Sequence, residues 1–249
     1  MKKTPDANIR KDIRAAIDKL HPDGIIEWLE PADESYLYEK IGDITRRLSA
    51  IEDASLLRAI DPLDRPTASC CFDSDDDEHE PLPDDSPMPS YFVFFVGLKG
   101  KDARFDYDGE EPDDDGELHD AHAIGTVGCT VGISLLAPFA CVSLGEVLEY
   151  DDGTQTEPDI WPDVFELDGK PRDLVEHYDE AMGSGSVVAM QALRERIELA
   201  LQAEGITIIP DEEARKRVPG LKADEETIIH SDFSNRTVTV LDAFFFLTL

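Results

Sequence analysis

Apolar residues follow a helical period in the first fifty residues of the chain. A first helix is predicted over residues 4–20, where Ile9, Ile13, Ile17 and Leu20 recur every three or four positions. A second amphipathic helix is predicted from Asp33 or Ser35 to about residue 51. Its stripe comprises Leu37, Ile41, Ile44, Leu48 and Ile51. A coiled-coil seam would need more heptads, so packing against a core is favoured. Residues 56–60 are expected to continue this helix or to form another turn.

The middle of the chain has the patterns of β-strands. Residues 91–96 are aromatic or β-branched and predict a central strand, with a short partner strand at residues 103–107. Residues 121–134 and 139–144 predict two further strands joined by a turn near Leu135. A turn centred on Leu135 would place Cys129 opposite Cys141, as two buried thiols.

Helical spacing returns in the last third of the chain. A helix is predicted over residues 188–204 from Leu193, Ile197 and Leu201, and a closing strand over residues 237–247. This order of elements predicts an α+β fold, with a mainly antiparallel central sheet flanked by N-terminal and C-terminal helices. We expect a single domain over residues 1–249. Its possible subdivisions are a helical part (1–65), a β-rich part with acidic loops (66–165) and a helical and β part (166–249).

The charge composition of the chain excludes several classes of binding partner. The 249 residues include 56 Asp and Glu against 23 Lys and Arg, for a formal net charge of −33. Such a chain is not expected to bind nucleic acid or an anionic membrane directly. Residues 121–145 lack charged side chains but are interpreted as buried strands rather than as a membrane span. No signal peptide is expected, and four cysteines do not form a disulfide scaffold, so the predicted location is the cytoplasm.

The acidic residues are concentrated in three segments of the β-rich part. Residues 73–89 contribute −8, residues 102–120 contribute −9 and residues 149–163 contribute −6, which is −23 of the total. They are expected to be loops, residues 108–120 included. A negative field of this kind steers a basic partner, although acidic loops can also serve solubility alone. The predicted partner-binding residues are Asp75, Asp76, Asp77, Glu78, Asp113, Asp114, Asp115, Asp151 and Asp152.

Motifs for metal binding and catalysis are incomplete. A calcium loop beginning at Glu111 would need a glutamate at its twelfth position, which is His122. His119 and His122 have the spacing of zinc ligands, but no third ligand is near them in sequence. No nucleophile motif or phosphate-binding loop is present. We therefore expect no cofactor, no metal and no enzymatic activity.

In size, acidity and lack of catalytic motifs, the chain resembles the immunity proteins of bacterial toxin–immunity systems. Acidic inhibitors that mimic nucleic acid share these properties. The resemblance implies a basic protein partner, a toxin effector domain, whose activity the chain blocks. A hydrolase with a carboxylate or His/Asp site in the central sheet, and a chaperone of a basic protein, are the alternatives.

Overall fold

The structure is a computed structural model that describes residues 8–26, 34–60, 88–112, 118–151, 153–156, 158, 186–224, 227–228 and 238–248. Its helices are α1 (Lys11–Leu20), α2 (Glu34–Ser49), α3 (Ser186–Ala203) and the single turn α4 (Asp211–Ala214). Its strands are β1 (Ile25–Ile26), β2 (Ala54–Ile60), β3 (Met88–Pro89), β4 (Tyr91–Leu98), β5 (Arg104–Pro112), β6 (Leu118–Ser134), β7 (Phe139–Tyr150), β8 (Thr207–Ile208), β9 (Lys222–Ala223), β10 (Thr227–Ile228) and β11 (Leu247–Thr248). In the part of the chain described, no helix is both long and apolar enough to cross a bilayer.

The central sheet is built around β6. Its strand order is β2–β4–β6–β7–β8, and β5 also pairs with β6. Along one side of β6, β4 pairs with residues 128–134 and β5 with residues 118–126, while β7 follows the other side. Every pairing in this sheet is antiparallel except that of β7 with β8. The fold is therefore α+β with a mainly antiparallel central sheet, as predicted.

The central sheet has a buried core on each side. The helix-side core contains Phe94 of β4, Ile44 of α2 and Leu193 of α3. The opposite core contains Val93 of β4 and Ile13 of α1, together with most of residues 238–246. Because successive residues of a strand point to opposite sides, a strand buried on both sides needs a continuous apolar run. The sequence of β4 is such a run.

Ser90 connects the start of β4 to the segment at residues 238–246. Its hydroxyl donates to the carbonyl oxygen of Phe244 at 3.1 Å and accepts from the amide of Phe246 at 2.9 Å. The neighbouring strand β11 pairs with β3 and with β10. A smaller parallel pair joins β1 to β9. Residues far apart in sequence therefore complete the second core.

The helices follow their predicted apolar stripes. The buried residues of α1 are Ile13 and Ile17. In α2, Ile44 and Leu48 are buried in the helix-side core. The buried side of α3 comprises Val187, Met190, Leu193, Ile197 and Leu201. The predictions for α2 and α3 are confirmed within the described residues. The first helix is confirmed only from Lys11 onward, because residues 8–10 precede it in non-helical conformation. The central strand at residues 91–96 is confirmed by β4.

Several predicted elements are wrong. Residues 56–60 do not extend α2; they belong to β2, which pairs with β4. The strand that begins near residue 103 is not a partner of β4, because β5 pairs with β6. It also runs to Pro112, and β6 begins at Leu118, so most of the acidic loop expected at residues 108–120 is strand. Asp108, the acid of this segment whose side chain is described, is exposed on the side of the ribbon that faces water.

The hairpin register also differs from the prediction. Residues 135–138 form the connection, so the turn is centred after Leu136, and Cys129 lies opposite Leu144 while Cys141 lies opposite Gly132. The two thiols belong to different cores on opposite sides of the sheet. The strand expected at residues 237–247 is wrong as well, because residues 240–244 form turns and the described strand begins at Leu247.

Candidate functional site

The outward side of the β5–β6–β7 ribbon carries exposed acidic residues. Asp106 lies opposite Ile124 and Asp108 lies opposite His122, while Glu149 lies opposite Ile124 on the other strand neighbour. Residues directly paired in antiparallel strands point to the same side of the sheet. All five side chains are exposed. We call this surface the acidic face and define it by Asp106, Asp108, His122, Ile124 and Glu149.

Alternation along β5 turns Asp106 and Asp108 toward solvent. Phe105 packs against the helix-side core, and Tyr107 is half-buried. The intervening Asp106 and the following Asp108 therefore point outward. Gly125 lies opposite Phe105, and a Cβ atom at this position would overlap the Phe105 ring. The glycine thus lets the ring cover β6 and hold β5 in register.

His122 forms a cross-strand pair with Asp108. His122 Nδ1 and Asp108 Oδ1 lie 2.9 Å apart, and the two side chains are 47% and 85% exposed. The hydrogen bond with Asp108 raises the pKa of His122 above 6.5, and the charges of Asp151 and Asp106 act in the same direction.

The raised pKa of His122 sets the pH range over which the charge of the acidic face changes. The folded-state pKa of His122 is raised. The attraction between protonated His122 and the neighbouring acids is therefore fully present below the unfolded-state pKa of His122, and it is lost as the pH rises through the folded-state pKa. Deprotonation removes a positive charge from His122. The acidic face is therefore more negative above the folded-state pKa of His122 than below it.

Asp151 is the predicted partner-binding residue that the structure describes. It is exposed in the turn that follows β7, and its charge acts on His122. The other predicted residues lie outside the described residues. These are Asp75, Asp76, Asp77, Glu78, Asp113, Asp114, Asp115 and Asp152.

The prediction missed Asp106, Asp108 and Glu149, which the structure brings together. The richness of residues 108–120 in acids predicts a loop there, and residues 149–163 are predicted as a loop for the same reason. The alternation of Phe105 and Tyr107 with Asp106 and Asp108 is the signal that identifies an acidic strand.

Two arginines border the acidic face. Arg104 is exposed and lies opposite Thr126, two residues along β6 from Ile124. Arg58 Nη1 donates to the carbonyl oxygens of Gln155 at 3.2 Å and Thr156 at 2.9 Å. Arg58 thus joins β2 to the segment that follows β7. The acidic face itself has no arginine or lysine among its five residues.

The chain matches no protein-family model, no curated protein and no solved structure. Its functional assignment therefore depends on its own residues.

Other side chains with catalytic potential are engaged in the fold. Burial raises the pKa of Cys129 and of Cys141 to about 12, so both thiols are protonated at neutral pH. A cavity of about 240 Å³ beside α1 is lined by Arg14, Asp18 and His21, among others. Arg14 already bonds Asp18, and His21 Nε2 lies 2.9 Å from the carbonyl oxygen of Ala243.

No cluster of three or more His, Cys, Asp or Glu with metal-binding geometry occurs among the described residues. The pair of His122 and Asp108 is the type of group that a hydrolase would use, but both side chains lie on an open surface. General acid–base catalysis needs a positioned substrate and a protected site. The exposed arrangement is better suited to contact with another macromolecule.

Proposed function

We propose that this chain is an acidic binding protein that neutralises a basic protein partner, as immunity proteins neutralise bacterial toxin domains. The observation that carries the proposal is the acidic face, on which Asp106, Asp108 and Glu149 are held at fixed spacing by paired strands. A field of one sign raises the rate of encounter with an oppositely charged protein and excludes partners of like charge. Asp151, exposed in the turn after β7, adds to this field.

The proposed partner is a toxin effector domain in the cytoplasm. The small number of cysteines, four in 249 residues, supports a reducing compartment. Neutralisation would follow from occupying the partner's cationic surface, so this chain would need no catalytic group. The product of a neighbouring gene is the first candidate partner to test, because a toxin and its immunity protein are commonly produced together.

The experiment measures association between this chain and that candidate at several salt concentrations. In the test variant, Asp106→Asn, Asp108→Asn and Glu149→Gln remove three charges from the acidic face. We expect association to slow by about three- to tenfold at low salt, and its salt dependence to weaken. The same measurement with Asp113, Asp114 and Asp115 changed to Asn tests the middle acidic segment.

A matched control removes three exposed acids elsewhere, through Asp23→Asn, Glu52→Gln and Glu195→Gln. Both triple variants have the same net charge, so a difference between them isolates position from total charge. Equal association rates for the two variants, or a wild-type rate that does not change with salt, would contradict a role of the acidic face in steering.

A further inference from the structure

Ile124 is an exposed apolar residue at the centre of the acidic face. It is 44% exposed, and it lies directly between Asp106 on β5 and Glu149 on β7. Directly opposed residues have Cβ atoms about 4.5–5.5 Å apart. A carboxylate therefore stands on each side of the isoleucine.

Leu57 of β2 is a second exposed apolar side chain on this side of the sheet. It is 46% exposed and lies at a register shift of β2, between Leu56 and Arg58. A Cβ atom at Gly97 would lie 2.5 Å from Leu57 Cδ1 and 3.1 Å from Thr126 Cγ2. The glycine therefore lets Leu57 lie across β4 and approach the methyl group of Thr126.

These side chains form a row along one side of the sheet. Thr126 lies two residues from Ile124 on β6, so the two point to the same side. The apolar row, which we define as Leu57, Thr126 and Ile124, runs into the acidic face. Val188 and Leu199 on α3 are more exposed, at 69% and 66%, but they stand eleven positions apart, about three helical turns. Isolated exposed apolar residues of that kind are ordinary on protein surfaces.

An apolar centre with a charged rim is the arrangement of a protein–protein interface. The centre of an interface excludes water and provides most of the affinity, whereas charges at the rim affect mainly the rate of encounter and specificity. Lysine and arginine would complement the rim formed by Asp106, Asp108 and Glu149. The apolar row would take an aliphatic or aromatic side chain.

We infer that the partner segment seated on this surface carries an apolar side chain between lysine or arginine residues. Its apolar side chain contacts Ile124 and Leu57, and its cationic groups pair with the surrounding carboxylates. This inference rests on the proposed function and adds a chemical requirement to it, since charge alone would not distinguish one basic protein from another.

Two synthetic peptides test the inference with the full chain. Both are rich in lysine and are identical except for the central residue, which is phenylalanine in one and serine in the other. Binding is measured by fluorescence anisotropy at low and moderate salt. We expect the phenylalanine peptide to bind the wild-type chain about five- to tenfold more tightly, as for an anchor at the centre of an interface.

Substitution locates the origin of that preference. Ile124→Ser should abolish the preference for phenylalanine. Leu57→Ser should reduce the preference and serves as a second variant if the first disturbs β6. Val188→Ser, a change of the same type on α3, should keep the full preference.

The outcomes separate the inference from the proposed function. Equal affinity of the two peptides, or a preference that persists in Ile124→Ser and Leu57→Ser, would overturn the apolar centre and leave the acidic surface in place. Failure of both peptides to bind the wild-type chain at low salt would contradict the proposed function itself.

Discussion

Asp242 is a carboxylate with no exposed surface, and it organises the turns that follow Val238. Its Oδ2 accepts from the amide of Thr239 and from the hydroxyl of the same residue, both at 2.7 Å. In return, the Asp242 amide donates to the Thr239 hydroxyl oxygen at 3.3 Å. This closed set of bonds lets a charged residue lie beside three consecutive buried phenylalanines, at positions 244–246.

We expect Asp242→Ala to lower the free energy of unfolding by about 2–4 kcal/mol, because the buried Thr239 amide and hydroxyl lose their acceptor. Urea denaturation followed by circular dichroism measures the change. Asp108→Ala is the control; its carboxylate is 85% exposed, and exposed ion pairs contribute little. A loss for Asp242→Ala no larger than the small change expected for Asp108→Ala would show that the bonds to Thr239 do not stabilise this segment.

At the scale of the elements, the pairing of β5 with β6 determines whether the acidic face forms. In the half of β6 that pairs with β5, the Phe105 ring covers Gly125 and leaves no room for a Cβ atom at that position. Two substitutions of the same type should therefore have opposite effects at two glycines of the chain.

We expect Gly125→Ala to lower the free energy of unfolding by about 1–3 kcal/mol, because the new methyl group overlaps the Phe105 ring. Gly42→Ala should instead raise it by about 0.5–1 kcal/mol, because Gly42 is within α2 and has open space around its Cα. Thermal and urea unfolding measure both. Stabilisation by Gly125→Ala would contradict the packing of Phe105 on β6.

The elements that the sequence predicted well are those whose periodicity results from burial. The stripes of α1, α2 and α3 and the apolar run of β4 each identify one element without any knowledge of its neighbours. Leu56 and Ile60 have a helical spacing but lie in β2, because pairing with β4 decides their conformation. Long-range pairing of this kind overrides local propensity.

The sequence did not predict the acidic face, because that surface also depends on long-range strand pairing. The alternation of Phe105 and Tyr107 with Asp106 and Asp108 indicates a strand, but it is too short to show that this strand pairs with β6 or that it continues into the acid-rich residues 108–112. The register of β6 with β7 depends on a four-residue connection, whose length placed Cys129 opposite Leu144. The exposed position of Ile124 between two acids follows from that register and from the pairing with β5.

At the scale of the whole molecule, a net charge of −33 opposes compact folding through self-repulsion. Salt shortens the distance over which these charges interact, from about 30 Å at 0.01 M to about 10 Å at 0.1 M.

We expect the melting temperature to rise as sodium chloride increases from about 10 mM to about 200 mM, because screening relieves repulsion more than it weakens the exposed ion pairs. Differential scanning calorimetry measures the shift. The variant that lacks the charges of Asp106, Asp108 and Glu149 should show a smaller rise. A melting temperature that falls with added salt would mean that attractive ion pairs dominate the electrostatics.

The bond between Ser90 and Phe246 joins residues that are 156 positions apart. At a synthesis rate of about 5–20 residues per second, Phe246 is made roughly 8–30 s after Ser90 and the start of β4. During that time an uncharged aromatic strand is available to other nascent chains, and such strands aggregate readily. Acidic residues at 73–85 and 102–120 border it on both sides, where like charges keep neighbouring chains apart. We expect these acids to limit aggregation of the growing chain before any partner is met.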